Sequence, residues 1–330
     1  MSSGTVLVTG GAGYIGSHCC KLLAAEGFEP VTYDNLFRGH RELVKWGPFV
    51  EGDIRDRDLL EKTIRRYRPA AVMHFAALSY VGESVENPGL YHSVNVGGSE
   101  VLLRAMTACK VKQVVFSSTC ATYGMPESMP IDEQHPQQPV NPYGVTKLAV
   151  EQAIGKWSAE TNGSSVMLRY FNAAGADPEL ETGEWHEPET HLIPLALAAA
   201  DGQGPGLTIF GDDYPTPDGT CIRDYIHVTD LVQAHLLAMR TDAPAGESQA
   251  YNLGNGEGFS VRQVVDAVEQ VTGKAVPVSN GARREGDPAS LVGSSARARR
   301  DLGWQPRFDD LGSIIATAWG WYQQQGASSQ

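Results

Sequence analysis

The apolar positions in the first half of the chain fall into short, β-branched-rich runs separated by segments with a helical repeat. Residues 5–9 (TVLVT), 30–34 (PVTYD), 49–53, 71–76 (AVMHFA), 113–118 (QVVFSS) and 165–170 (SVMLRY) predict six strands. Residues 17–25, 56–67, 91–109 and 143–161 predict the intervening helices. Strand and helix alternate from residue 5 to residue 170. That order predicts an α/β fold with a doubly wound parallel sheet, because parallel neighbours need crossovers and the helices supply them.

Beyond residue 171 the punctuation changes. Residues 172–190 and 211–220 are rich in Gly, Pro, Asp and Glu and predict long loops, which in a compact protein usually carry function. Helical segments at 191–200, 229–239 and 260–272 interleave with short strands at 207–210, 225–228 and 250–253. This predicts a smaller α/β lobe grafted onto the first unit. Residues 224–239 read as a strand–helix unit of the main sheet, so 224–250 is expected to return to the first domain. The last residues, 326–330 (GASSQ), are expected to fray.

Composition narrows the function. The 330 residues are 42% hydrophobic and 20% charged, enough to bury a sizeable core. The net charge of −13 argues against nucleic-acid binding, which needs a basic face. The five cysteines form no C-x-x-C pair, which predicts reduced buried thiols in a cytoplasmic protein. No basic-then-apolar leader is seen, and the apolar stretch at 192–200 is too short to cross a bilayer.

Gly10, Gly13 and Gly16 follow the first strand and open the first helix. Glycines there let the backbone turn tightly and approach a diphosphate, and a helix N-terminus offers its free N–H groups. Such a pattern alone is weak in a chain with 36 glycines. Asp34, closing the next strand, is where an acid would hydrogen-bond the adenosine ribose and repel a 2′-phosphate. Together these predict a Rossmann-type dinucleotide domain over residues 1–171 that prefers NAD, with a substrate-binding lobe mainly over 172–330. Arg38 nearby reads as an exposed loop arginine.

A second signal is Tyr143 and Lys147, spaced i, i+4 at a helix start and so on one face. An ammonium beside a phenol lowers its pKa and makes it a general base near neutral pH. Ser118 and Thr119 end the fifth strand, at the carboxyl edge where open α/β sheets bind ligands. By itself Y-x-x-x-K reads as a surface pair; with the nucleotide fold and the strand-end hydroxyls the catalytic reading is the better one.

These residues resemble the extended short-chain dehydrogenase/reductase family, and within it the UDP-sugar 4-epimerases. The resemblance runs through VTGGAGYIGSH (8–18), YDN (33–35), EGDIRD (51–56), HFAA (74–77), VGESVENP (81–88), FSST (116–119), NPYGVTK (141–147), LRYFNAAGA (168–176), GDDYPTPDGTCIRDYIHVTDL (211–231), YNLGNG (251–256) and ARREGDP (282–288). It implies a bound NAD lined by Gly10, Gly13, Tyr14, Ile15 and Gly16 at the diphosphate. Asp34 and Asn35 would meet the ribose, and Asp53 and Ile54 the adenine. Phe75, Ala76 and Ala77 would line mid-groove, with Asn95, Ser117, Tyr143, Lys147 and Tyr170 near the nicotinamide. For the substrate it implies Ser118, Thr119 and Tyr143 around the reacting hydroxyl, Asn172, Arg223 and Arg284 on the sugar diphosphate, Asp287 on the uridine ribose, and His191 and Leu192 beside the substrate. Phe75 and Ile54 read equally as plain core, Asn95 as a helix-start polar group, Asn172 as a turn residue, and Arg284 beside Arg283 as surface.

The implied reaction interconverts UDP-galactose and UDP-glucose. Tyr143, with Thr119 and Lys147, takes the 4-hydroxyl proton, C4 is oxidised by NAD, and the 4-keto sugar is re-reduced on its opposite face. The resemblance also implies a homodimer through the helices at 91–109 and 143–161, and no metal. His186 and His191 flank a Glu-rich loop (HEPETH) whose spacing fits no common metal site. By the resemblance Ser79 departs from a residue facing the cofactor, His191 from an Asn beside the substrate, and Leu291 sits where the sugar's 2-substituent is gated; UDP-arabinose/UDP-xylose and UDP-N-acetylhexosamines stay open as alternative substrates. A 4,6-dehydratase would need an Asp-Glu pair after Thr119, where Cys120 and Ala121 stand. A non-catalytic NAD-binding regulator remains a rival that usually lacks the Tyr/Lys pair.

Overall fold

The computed structural model describes residues 4–328 except 205, 242 and 285. Its first half runs β1 (Thr5–Thr9), α1 (Tyr14–Ala25), β2 (Glu29–Asp34), β3 (Phe49–Glu51), α2 (Arg57–Tyr67), β4 (Ala71–His74), α3 (Val81–Glu86), α4 (Pro88–Tyr91), α5 (Gly98–Cys109), β5 (Gln113–Thr119), α6 (Pro142–Thr161) and β6 (Ser164–Tyr170). The second half adds β7 (Asn172–Ala174), α7 (Leu192–Ala200), β8 (Leu207–Phe210), β9 (Ile222–Arg223), β10 (Tyr225–His227), α8 (Val228–Arg240), β11 (Ser248–Leu253), β12 (Phe259–Ser260), α9 (Val261–Thr272), β13 (Val278–Gly281), β14 (Ser290–Leu291), α10 (Ala296–Leu302) and α11 (Leu311–Ser328). Residues 326–328 of the expected frayed end continue α11; 329–330 lie outside the described residues.

Seven strands form one parallel sheet in the order β3-β2-β1-β4-β5-β6-β11. Both faces are buried, as the alternation within β1 shows. Val6 and Val8 pack with α1, α8 and α10, whereas Leu7 packs with α2, α5 and α6. The order reverses between β1 and β4, so their carboxyl ends open the crevice where doubly wound sheets take ligands. A separate core of α7, α9 and α11 with Leu207 of β8 organises the smaller lobe.

Two expectations are corrected. The strand read at 225–228 is not part of the main sheet; β10 pairs with β7 in a two-stranded sheet. Helix α8 does return to the main core through Leu231, Val232 and Leu236, but the seventh strand is β11. The helix read at 91–109 is broken: a π-helical turn over His92–Gly97 separates α4 from α5. There the Asn95 amide clamps the backbone of Leu78, accepting from its N–H (2.8 Å) and donating to its C=O (3.0 Å), and Gly97–Gly98 add little helix propensity.

Candidate active site

The turn after β1 is shaped by close approach. Gly10 sits at φ +76° with Ala76 N 2.6 Å from where a Cβ would stand. A Cβ on Gly16 would lie 2.1 Å from the Gly10 carbonyl oxygen, so only glycine lets α1 start this close to the turn. At Gly13, the N-cap of α1, a Cβ would meet only ordinary protein contact at 3.4 Å. No side chain caps α1 and no acid stands in its first turn, so its leading N–H groups remain available to an anion. The Tyr14 phenol turns away and donates to the Gly175 carbonyl (2.5 Å), tying the lobe to α1, while Ile15 packs on the core below the sheet.

Asp34 is buried at the end of β2 and holds the loop: its carboxylate accepts from Ala12 N (3.0 Å) and Leu36 N (2.9 Å). Burial raises its pKa, against those backbone hydrogen bonds. Asn35 donates to Asp53 (3.2 Å), and Asp53 is held by Arg55, which lowers its pKa to about 2. Ile54 belongs to the core, against Gly98. Phe75 is half-buried against His235 (ring centroids 4.8 Å apart), and Ala76 and Ala77 follow it out of β4, both half-buried. Arg38 is not a loose loop arginine. It pairs with Glu83 (2.9 Å), donates to the Glu187 carbonyl (2.7 Å) and lies over the Tyr80 ring.

The Asn141 side chain caps α6 by accepting from Gly144 N (2.8 Å), and Pro142 opens the helix, which sets Tyr143 and Lys147 on one face of its first turns. Both are buried beside the end of β5. Lys147 donates to the Ser117 carbonyl (2.8 Å), and its Nζ lies 5.8 Å from the Tyr143 ring centre and 4.8 Å from that of Phe116. The expected lowering of the phenol by the ammonium is not what this environment does. Burial pushes Tyr143 well up, the Tyr170 phenol adds to that, and the Thr119 hydroxyl pulls it down. Burial also lowers Lys147 to about 7, against Glu151 one turn on. A low-dielectric site penalises both charges, keeping the Tyr143 phenol neutral and easing proton loss from Lys147.

Strand alternation separates the three strand-end hydroxyls. Ser117 exchanges a hydrogen bond with the Tyr170 phenol (2.7 Å), and Thr119 reaches Tyr143. Ser118 points the other way, fully buried, and donates to Glu151. The structure therefore does not bring Ser118 together with Tyr143, because successive residues of a strand face opposite sides. Asn95 likewise spends its amide on Leu78 and Thr146.

On the lobe side, Asn172 donates from both its backbone and its amide to the Asp224 carbonyl (3.0 and 2.8 Å). Arg223 is paired with Asp287, and Arg284 lies over the exposed Phe210 ring (4.1 Å). Leu192 starts α7 and is half-buried on the lobe core; His191 precedes it. Leu291 packs with Cys120 against the cluster of Tyr123, Ile131 and Phe171. Around the 186–191 loop the fold adds Glu184 and gathers it with His186, Glu189 and His191, their ligand atoms all within 4.8 Å.

Sequence reasoning missed the buried network behind Ser118. Glu151 and Arg169 form a two-pronged ion pair (2.9 and 2.6 Å), and Arg169 reaches on to Tyr123 and thence Asn252. The one available signal was Glu151, four residues after Lys147 on the same helix. Asp224, whose carboxylate accepts from Asn255, Gly256 and Gly293, was likewise hidden in a loop.

A model of the NAD dependent epimerase/dehydratase family matches residues 6–254. The chain belongs to that family. A UDP-glucose 4-epimerase of Rhizobium meliloti (strain 1021) is 52% identical over 324 residues, 98% of each chain. The crystal structure of a UDP-glucose 4-epimerase from Brucella ovis in complex with NAD is 52% identical with a TM-score of 0.94, covering 96% of this chain and 98% of that one. A UDP-glucose-4-epimerase from Stenotrophomonas maltophila with bound NAD and formylated UDP-arabinopyranose is 39% identical with a TM-score of 0.94, over 98% and 99%. The family's NAD suits the residues here: an uncapped helix N-terminus behind a glycine turn, and the buried Asp34 carboxylate, held in place by backbone N–H groups with acceptor capacity left for a hydroxyl.

Proposed function

We propose that this member of the family interconverts UDP-galactose and UDP-glucose with a retained NAD. The observation that carries the reading is the buried Tyr143–Thr119–Lys147 group at the carboxyl end of β5, in a chain about half identical over its length to UDP-glucose 4-epimerases. Gly10, Gly13, Gly16 and Asp34 would hold the dinucleotide, with Asn35, Asp53, Phe75, Ala76 and Ala77 along its groove. When bound, NAD supplies the hydride acceptor and donor for C4 and, oxidised, a positive charge.

Tyr143 takes the proton from the sugar 4-hydroxyl and later returns it. Thr119 hydrogen-bonds the phenol and stabilises its ionised form. Lys147, anchored on the Ser117 carbonyl, adds positive charge when protonated. Arg223 and Arg284 grip the diphosphate, where guanidinium forks match phosphate oxygens, and Asp287 exchanges Arg223 for the uridine ribose. The chain works as a cytoplasmic homodimer, in keeping with five free cysteines.

The test is to purify the protein with no added cofactor and follow UDP-galactose by proton NMR. UDP-glucose appearing to a fixed ratio is expected. No conversion with NAD added, and conversion of UDP-arabinose or UDP-N-acetylglucosamine instead, would overturn the substrate assignment.

A further inference from the structure

The loop before α7 places two imidazoles and two carboxylates around one point. Glu184 Oε1 lies 2.5 Å from His191 Nδ1 and 3.1 Å from His186 Nδ1. Glu189 closes the figure, 3.7 Å from His186 Nδ1 and 3.4 Å from His191 Nδ1 through its two oxygens. Ligand atoms about 2.0–2.2 Å from a tetrahedral metal stand about 3.3–3.6 Å from one another by simple geometry. Three of the four separations bracket that range, and the fourth opens by about 1 Å when the hydrogen bond it represents is replaced by a metal.

A second grouping shows the contrast. Asp177, Glu179 and Glu181 also converge, but the Lys21 ammonium sits among them at 2.6–2.7 Å and already neutralises them. Around Glu184 and Glu189 the partners are the imidazoles of His186 and His191, which, unlike an ammonium, ligate a metal once they release their protons. The backbone that carries them is fixed from several sides. The Trp321 indole donates to the Glu184 carbonyl (2.9 Å), Trp185 stacks on His40 (3.9 Å), and Arg38 holds the Glu187 carbonyl (2.7 Å). Such anchoring is what a preorganised ligand set requires.

We propose that Glu184, His186, Glu189 and His191 form a binding site for one divalent transition-metal ion of the zinc type. Nitrogen and carboxylate donors in a tetrahedron favour zinc or cobalt over magnesium or calcium, which take oxygen in larger or octahedral shells. The ion stiffens the loop by joining four of its own side chains. His186 stands edge-on to Tyr14 (6.2 Å) at the head of α1 and to Tyr80 (5.9 Å), so the stiffened loop is the one that lies against the start of α1. It takes no part in the proposed hydride chemistry; although His191 is also a substrate-side candidate, metal binding is read without substrate, so the site and the substrate assignment fail separately.

The experiment uses the full chain with its NAD and no polyhistidine tag. Zn2+ is titrated by calorimetry and Co2+ by visible absorption, with Mg2+ as competitor. Expected are one equivalent per chain, the intense d–d bands of tetrahedral cobalt, no displacement by Mg2+, and binding weakened about tenfold or more in H186Q and in E189Q. E187Q, in the same loop but outside the cluster, should bind as the parent does. Absence of stoichiometric binding, octahedral-type cobalt bands, or equal binding in H186Q and E189Q overturns the site. Should both variants misfold, the cobalt spectrum of the parent chain decides alone.

Discussion

Tyr143 and Lys147 are both buried, and burial opposes the charge each carries in the proposed mechanism. Replacing Tyr143 by Phe removes the proton acceptor and keeps the shape. Turnover followed by NMR should fall by about 10²–10⁴-fold, with UDP binding retained. The residue pair was readable from its spacing; its electrostatics were not, because burial depends on α3, α4 and β5 closing over it. His235 gives a cleaner titration. It is fully buried against Phe75, its Nε2 has no hydrogen-bond partner, and burial lowers it to about 4. A histidine kept neutral by the fold costs stability as pH drops below its unfolded value of about 6.5, and the loss is complete near its folded value. His235→Leu should therefore stabilise the protein by about 2 kcal/mol more at about pH 5 than at about pH 8, read as the shift in urea midpoint.

At the level of elements, the turn from β1 into α1 separates fold from ligand. Gly13→Ala meets only ordinary contact within the protein, whereas Gly16→Ala collides with Gly10. Gly13→Ala should keep its melting temperature within a few degrees yet lose copurified NAD, measured by absorbance of the acid extract. Gly16→Ala should lose both. The Glu151–Arg169 pair ties α6 to β6 behind the strand end. Truncating Glu151 to Ala leaves a buried guanidinium uncompensated and should cost about 3–5 kcal/mol in chemical denaturation. Strands and helices of the first half were legible because each buried run carries its own period. β10 and β11 were not assigned correctly to sheets, since both read as short apolar strands and only tertiary pairing distinguishes them. Ser118 was misplaced for a related reason: which face of β5 meets α6 is decided by the register of the whole sheet, not by FSST.

For the whole molecule, the proposed homodimer predicts a sedimentation coefficient of two chains at micromolar concentration; a monomer there would sink it. The separate core of the smaller lobe follows the change of punctuation near residue 171. The return of residues 224–250 was partly read, since α8 does rejoin the main core; that β11 completes the sheet was not, because it comes from the far side of the lobe's first helix and strands. That late strand has a consequence during synthesis. β6 ends at Tyr170, but its partner is not complete until Leu253, about 83 residues later. At about 5–20 residues per second, the nascent sheet waits about 4–17 s with a long hydrogen-bonding edge unfilled. An unpaired edge invites association with other strands, so the ribosome-bound chain passes through an interval in which shielding by a chaperone, or simply fast translation of residues 171–253, governs how much of it reaches the native state.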